Sequence, residues 1–230
     1  MLLFIKKSLL FIFLLFLPSL TAEASKAFVV SYVDHEGIKK HYVPLVAAAY
    51  RQIGVETRFK QVNDQRALWL LNQGKLDAET VKTTESIEKY KDILVVPTSI
   101  SVIEVLLVCQ PNVRCSPDIF TDATKTIGVV AAVEFYDKQL SGATVNIKSV
   151  ASFEQLHNLH HFSRVDAIIT VLDKYSKEEF GALDNFYKLE EKIGFHLIHK
   201  RHEGIMNELD KAFQTIQDNP HLIDPKDAID

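Results

Sequence analysis

Past an apolar N-terminal block, the chain alternates short apolar runs with stretches of helical periodicity. Runs at 28–32, 56–61, 76–80, 93–96 and 99–108 are rich in β-branched and aromatic residues and read as strands. Between them, 40–53 and 65–72 carry apolar residues at three- and four-residue intervals and read as helices. Pro44 is tolerable only in the first helical turn, where its missing N–H would be unpaired anyway, and Gly54 and Gly74 close the two helices. Asn63 or Asp64 can cap the second. The alternation restarts after residue 115, with strands at 126–130, 144–150, 166–170 and 195–199 and helices at 134–140, 153–160, 174–180 and 203–216. Ser152-Phe153-Glu154-Gln155 is a capping-box sequence, and Ile205, Leu209, Phe213 and Ile216 share one face of the last helix.

Alternation of this kind predicts parallel sheets covered by helices. Two series joined by one long strand predict an α/β protein of two lobes, each with its own sheet. Ligands of open α/β sheets bind at the carboxyl ends of strands, so the gap between the lobes is the expected cleft.

The N-terminal block changes the picture of where the chain works. Lys6 and Lys7, an apolar run over 8–17, the breaker Pro18 and the small-x-small site Ala22-Glu23-Ala24 form the pattern of a cleavable secretory signal. A run of about ten residues is too short to cross a hydrocarbon core, which takes about 20 as helix. Residues 1–24 are therefore expected to be removed, leaving a soluble periplasmic chain of about 206 residues from Ser25, without a cysteine for a lipid anchor. A composition 47% hydrophobic and 24% charged is that of a folded domain rather than a disordered one. A formal charge of −4 with no basic block argues against nucleic acid or an anionic membrane as partner. Outside the cytoplasm, Cys109 and Cys115 are expected to form a disulfide across the turn at Pro111-Asn112, the alternative being two free thiols.

Five stretches resemble a known family: Asp64-to-Lys82 (D-Q-R-A-L-W-L-L-N-Q-G-K-L-D-A-E-T-V-K), Tyr90-to-Ile100 (Y-K-D-I-L-V-V-P-T-S-I), and, in the second half, T-I-G-V-V, F-S-R-V-D-A-I-I-T and F-H-L-I-H-K-R-H. In this order they are similar to the type II periplasmic solute-binding proteins, related to the amino-acid-binding components of ABC importers. The resemblance implies two lobes joined by two crossing strands and closing on a small ligand. It implies a first lobe of residues 25–103 to which 200–230 return, and a second of 104–199. It also implies a monomer without cofactor that hands a small polar or anionic ligand to an inner-membrane permease or a sensor. Lys82 stands where family members usually carry an arginine that grips the ligand carboxylate; lysine offers only a point charge there. With Asp77 and Glu79 it would follow a strand at the cleft edge. Arg66, at the start of the second helix, Tyr32, at the end of the first strand, Ser99, on the crossing strand, and Tyr136, over the second lobe, complete the candidate ligand contacts. The acidic residue that takes a ligand ammonium at the end of V-D-A-I-I-T is replaced by Thr170 and Val171, and the glycine after G-V-V by Ala131 and Ala132. These departures weaken the expectation of a free α-amino acid as ligand.

His157, His160 and His161, and again His196, His199 and His202, have spacings a metal could use, but no carboxylate or cysteine ligand stands at matching intervals, so no metal is expected. No G-x-S-x-G, H-E-x-x-H or glycine-rich phosphate loop is present, and an enzyme would have to rest on Glu79 and Lys82 as an acid–base pair, as in a dehydratase of the same fold. The expected function is therefore solute capture rather than catalysis, with a ligand-independent interaction module of the same fold as its rival.

Overall fold

The computed structural model describes residues 27–130, 137–173, 175 and 184–229. The expected signal segment, Tyr136 and the helix expected at 174–180 (Tyr175 apart) lie outside the described residues. Eight strands run in chain order: β1 Phe28–Tyr32, β2 Thr57–Gln61, β3 Ala78–Thr83, β4 Ile93–Cys109, β5 Thr126–Val130, β6 Asn146–Val150, β7 Ala167–Leu172 and β8 Phe186–His199. The helices are α1 Val43–Gln52, α2 Asp64–Asn72, α3 Asp137–Leu140, α4 Phe153–His161 and α5 Met206–Asp218. Local signals place most of these ends. Pro44 lies in the first turn of α1, after a π turn at Ile38–Tyr42. Gly54 and Gly74 follow α1 and α2 at φ of +70° and +65°, a backbone region in which a Cβ is strained. Asn63 caps α2 by accepting the Arg66 N–H at 3.0 Å. Ser152 caps α4 by accepting the Gln155 N–H at 3.2 Å, while the Gln155 side chain reaches back to the Ala151 N–H at 3.1 Å.

The strands form a single ladder in the order β2-β1-β3-β8-β4-β7-β5-β6, not the two separate sheets expected. Its ends are two parallel triples, β2-β1-β3 and β7-β5-β6; its middle is the antiparallel pair β8 and β4, which runs through both halves. The two runs expected at 93–96 and 99–108 are one strand. Pro97 has no N–H for the ladder, and β4 shifts register there; the adjacent Thr98 N–H is taken instead by Asp210 of α5 at 2.6 Å. Likewise 195–199 is only the end of β8. Residues 186–193 are mostly exposed, and the reading from apolar pattern passed over them; they are strand because they pair with β4 from Val102 to Val108.

Although the ladder is continuous, the cores are not. In the first half α1 and α5 cover one face with Val30, Val46, Tyr50, Leu209 and Phe213 at its centre, and α2 covers the other with Leu68, Leu71 and Leu197. In the second half Val105, Leu107, Ile127 and Ile169 pack on one face, and Leu106, Val108, Ile168 and Leu156 of α4 on the other. Burial on both faces explains why the 105–108 segment reads as an unbroken apolar run. No helix among the described residues is long and apolar enough to cross a membrane.

Cys109, at the end of β4, is joined to Cys115 by a disulfide with a Cα–Cα distance of 5.6 Å, and both pack on the second-half core. The turn between them is closed by the Val113 N–H on Gln110 O at 2.9 Å and held by Asn185, which donates to Gln110 O and Val113 O at 2.7 and 2.9 Å. Closing so short a loop is worth about 2 kcal/mol by chain entropy. Replacing both cysteines by alanine is expected to lower the Tm by about 4–8 °C. A melting curve superimposable on the parent's would show that the turn is held by Asn185 alone.

Candidate functional site

Both parallel triples direct their carboxyl ends toward one gap. Val33, Asp34 and His35 follow β1; Gln61, Val62 and Asn63 leave β2; Val81 and Lys82 end β3. Across from them stand Val130 from β5, Ala151, Ser152 and Phe153 between β6 and α4, and Val171, Leu172 and Asp173 from β7. Together with Ile38, Tyr42 and the β4 residues Ser101 and Ile103 they enclose a cavity of about 460 Å³. This is where open α/β sheets bind ligands, since strand ends supply side chains from loops held by a rigid sheet.

Most of the wall is apolar. The charges set into it are few: Lys82 and Asp173 are sheltered, at 5% and 7% exposed, while Asp34 is exposed and paired with Lys39 at 3.5 Å. Lys82 and Asp173 come from opposite halves of the molecule. Asp173 accepts the Tyr175 N–H at 3.0 Å and so is aimed by its own turn. The Tyr42 hydroxyl lies 2.7 Å from Ser101 Oγ. Burial raises the Tyr42 pKa and the Asp173 carboxylate adds to the rise, so the phenol stays neutral. Tyr42 thus links the first half, the crossing strand and the second half. Aromatic contacts also bridge the gap: the His35 ring stands edge-on to Phe153 at 4.8 Å, and the His41 ring stacks on Tyr175 at 4.3 Å.

The structure separates the sequence-derived candidates. Lys82 lines the cavity. Tyr32 is buried and does not line it; its neighbours Val33, Asp34 and His35 do, because the chain enters the cleft only after β1 ends. Arg66 is exposed on α2, outside the cavity wall. Ser99 also lies outside: its carbonyl accepts from Gln217 of α5, and Ser101, two residues on, faces the cleft instead. Tyr136 lies outside the described residues. Asp77 is at the opposite end of β3, accepting the Val29 N–H at 2.8 Å and pairing with Arg201 and His202. Thr170 and Val171 hold the place of the family's acidic residue; a carboxylate does line the cavity at Asp173, three residues past Thr170 and two past Val171. A polar residue directly after the apolar 167–172 run was the available signal for it.

Glu79 is in the core beside Lys82's strand position but not in the cleft. It sits level with Leu197 on the face covered by α2, 1% exposed, and bonds Ser31. Ser31 has one hydroxyl proton and a second acceptor, Ala78 O at 3.1 Å. The Ser31 hydroxyl is the donor to both Glu79 Oε2 and Ala78 O, so its one proton is shared between two acceptors. Burial pushes the Glu79 pKa up to about 8, with the Ser31 bond pulling the other way. The acid–base pair with Lys82 that a dehydratase-like reaction requires is therefore not assembled at these two residues.

The late histidines are structural in their contacts. His196 is buried between the Tyr50 hydroxyl at 2.9 Å and Thr80 O at 3.0 Å, and burial lowers its pKa to about 4. His199 accepts the Arg201 N–H, and His202 meets Asp77. His157 bonds Thr170 Oγ1 at 3.3 Å. Among the described residues no group of three His, Cys, Asp or Glu is arranged to hold a metal ion.

The sequence matches no family model and no curated protein. In three dimensions the chain is similar to ArgBP from T. maritima, with a TM-score of 0.66 and 15% identity over 85% of this chain and 91% of that one. It is similar to ArtJ, the arginine-, lysine-, histidine-binding protein of Geobacillus stearothermophilus, at 0.64 and 17%, covering 86% and 92%. The GluR0 ligand-binding core in complex with L-glutamate superposes at 0.66 and 13%, covering 86% and 96%. What is shared at these identities is the fold, the two-lobed type II periplasmic-binding-protein architecture with a cleft between the lobes.

Two buried groups make stability depend on pH in opposite directions. The folded pKa of His196 lies below its ordinary value near 6.5, so its contribution is complete above pH 6.5 and is lost as pH falls toward 4. The folded pKa of Glu79 lies above its ordinary 4.5, so its contribution is complete below pH 4.5 and is lost as pH rises toward 8. Glu79→Gln, which keeps the shape and removes the charge, is expected to raise the Tm at pH 8 by roughly 5–10 °C, the gain shrinking toward zero at pH 4.5. A gain independent of pH, or none, would mean that Glu79 is ionised in the fold.

Proposed function

We propose that this chain is an exported solute-binding protein that captures a small polar or anionic molecule with an apolar body between its two lobes. Delivery is to a membrane permease or a sensor. The observation that carries this is the placement of two sheltered, opposite charges, Lys82 and Asp173, from opposite halves of the molecule in the wall of a mostly apolar cavity built from the carboxyl ends of both strand triples. Lys82 supplies a cation for the ligand's anionic group, and Asp173 can receive a ligand donor across the gap; the wall from Val33, Val62, Val130, Phe153 and Leu172 covers the remainder. Closure is driven by a ligand that touches both lobes and so favours the shut state.

The lobes are proposed to divide within the crossing strands, near Ser101 on β4 and Gly194 on β8. Residues 195–199 then belong to the first lobe, because Phe195, Leu197 and Ile198 pair with β3. The N-terminal 24 residues act as the export signal, and the mature protein is a periplasmic monomer.

A thermal-shift screen of the mature chain against amino acids, small carboxylates and aromatic acids is the direct test. A ligand at about 100 times its Kd stabilises the fold by about 2.7 kcal/mol, readily seen as a rise in Tm. Lys82→Ala is expected to weaken that ligand about 10- to 100-fold, and Asp173→Asn to weaken it if the ligand carries a donor. A ligand bound with unchanged affinity by both variants would place the binding site elsewhere. Recovery of a protein partner by crosslinking, with no small molecule shifting the Tm, would favour the interaction module.

A further inference from the structure

Gly194 occupies a crowded junction. On β8 it pairs with Thr83 of β3 on one side and with Ser101 of β4 on the other. A methyl group built on its Cα would lie 2.8 Å from Val81 Cγ2, 3.0 Å from Ser101 Cβ and 3.7 Å from Ile103 Cδ1. The first separation is closer than packed carbons tolerate, and the second requires Ser101 to give by a few tenths of an ångström. All three neighbours line the cavity. Val81 belongs to the first half, whereas Ser101 and Ile103 belong to the strand that crosses between halves.

The ladder is irregular on both sides of this point. Between Glu79 and Lys82, β3 takes three steps while β8 takes two, from Leu197 to Phe195. On the other side, β4 shifts register against β8 between Val95 and Ser99 and again between Ser99 and Ser101. Bulges of this kind re-aim side chains at strand ends. Here the extra residue of β3 precedes Lys82, the cleft cation, and the bulged strand leans into the space above Gly194.

We infer that Gly194 is a positioning residue of the cleft floor. Its bare Cα lets Val81 of the bulged β3 close against Ser101 and Ile103. That contact holds Ser101 within 2.7 Å of the Tyr42 hydroxyl and sets the depth at which Lys82 lies. A side chain at this position is a wedge between the first lobe and the crossing strand. The inference rests on the cavity being the binding site, but its geometry can be read without any ligand.

The test is the mature chain carrying Gly194→Ala, with Gly204→Ala as control, since a methyl at Gly204 meets nothing within 4 Å. Crystal structures of the two variants and the parent are compared. The expected result for Gly194→Ala is displacement of Val81, Ser101 and Ile103 away from β8 by at least a few tenths of an ångström. The Tyr42–Ser101 hydrogen bond should open beyond about 3.5 Å, and the Tm should fall by about 3–10 °C. Gly204→Ala should leave all of these unchanged. An alanine accommodated with the three side chains in place and the Tyr42–Ser101 bond intact overturns the inference. Should Gly194→Ala fail to fold, adding Val81→Ala removes the 2.8 Å contact: recovery of folding supports the inference, and a double variant no better than the single one overturns it. Because no arm uses a ligand, failure of solute capture and failure of this positioning role are told apart.

Discussion

The antiparallel pairing of β4 with β8 is the constraint from which the rest of the architecture follows. From Ile93 opposite His199 to Val108 opposite Phe186, these two strands carry one hydrogen-bonded ladder through both halves. Each parallel triple is attached to one side of that pair, β3 to β8 and β7 to β4. The two triples therefore lie on opposite flanks with their carboxyl ends turned to a common gap. Without the pair there would be two small α/β units with no defined relation. With it, residues far apart in the chain, such as Val62, Lys82, Phe153 and Asp173, become walls of a single cavity.

Burial then decides which charges can do chemistry. Lys82 and Asp173 are sheltered and line the cleft, a medium in which charge acts strongly. Glu79, close to Lys82 in sequence, is turned to the other side of the sheet, where desolvation pushes its pKa up although Ser31 donates to it. His196 is neutralised by the same cause with the opposite sign of shift. Residues separated by a few positions along one strand thus have unrelated roles, because alternate positions face different surroundings. The bulge in β3 adds a local exception to that alternation at the point where the strand reaches the cleft.

Much of the fold was legible in the chain itself. The helix limits follow from Pro44, Asn63, Gly54, Gly74 and the Ser152–Gln155 cap, each of which acts through backbone groups within a few residues. Apolar runs marked β1, β5 and the 105–108 segment because both faces of those strands are buried. Of the cleft, the place was legible from strand–helix alternation, and Lys82 from resemblance. Ser99 and Tyr32 stand off the cavity wall because a shift of one or two positions moves a side chain to another face, and Arg66 is exposed on α2. Tyr42 and Ser101 carry no local mark of their role, and Asp173 only a faint one.

The sequence by itself determined the local elements, their order, the disulfide turn and the α/β class, since caps, turns and hydrophobic period act over short range. Only the tertiary structure decided that residues 186–193 are strand, that the two sheets are one ladder, and that Asp173 and Lys82 line one cavity. Those outcomes depend on which distant backbone is available to pair. The charged segment from Phe186 to Ile193 has no apolar face to announce it; it is ordered by the hydrogen bonds of β4 and by Lys188 bridging Glu104 and Glu191. Pairing energy of that kind exists only once both strands are in place, and so it leaves no periodic trace in either one.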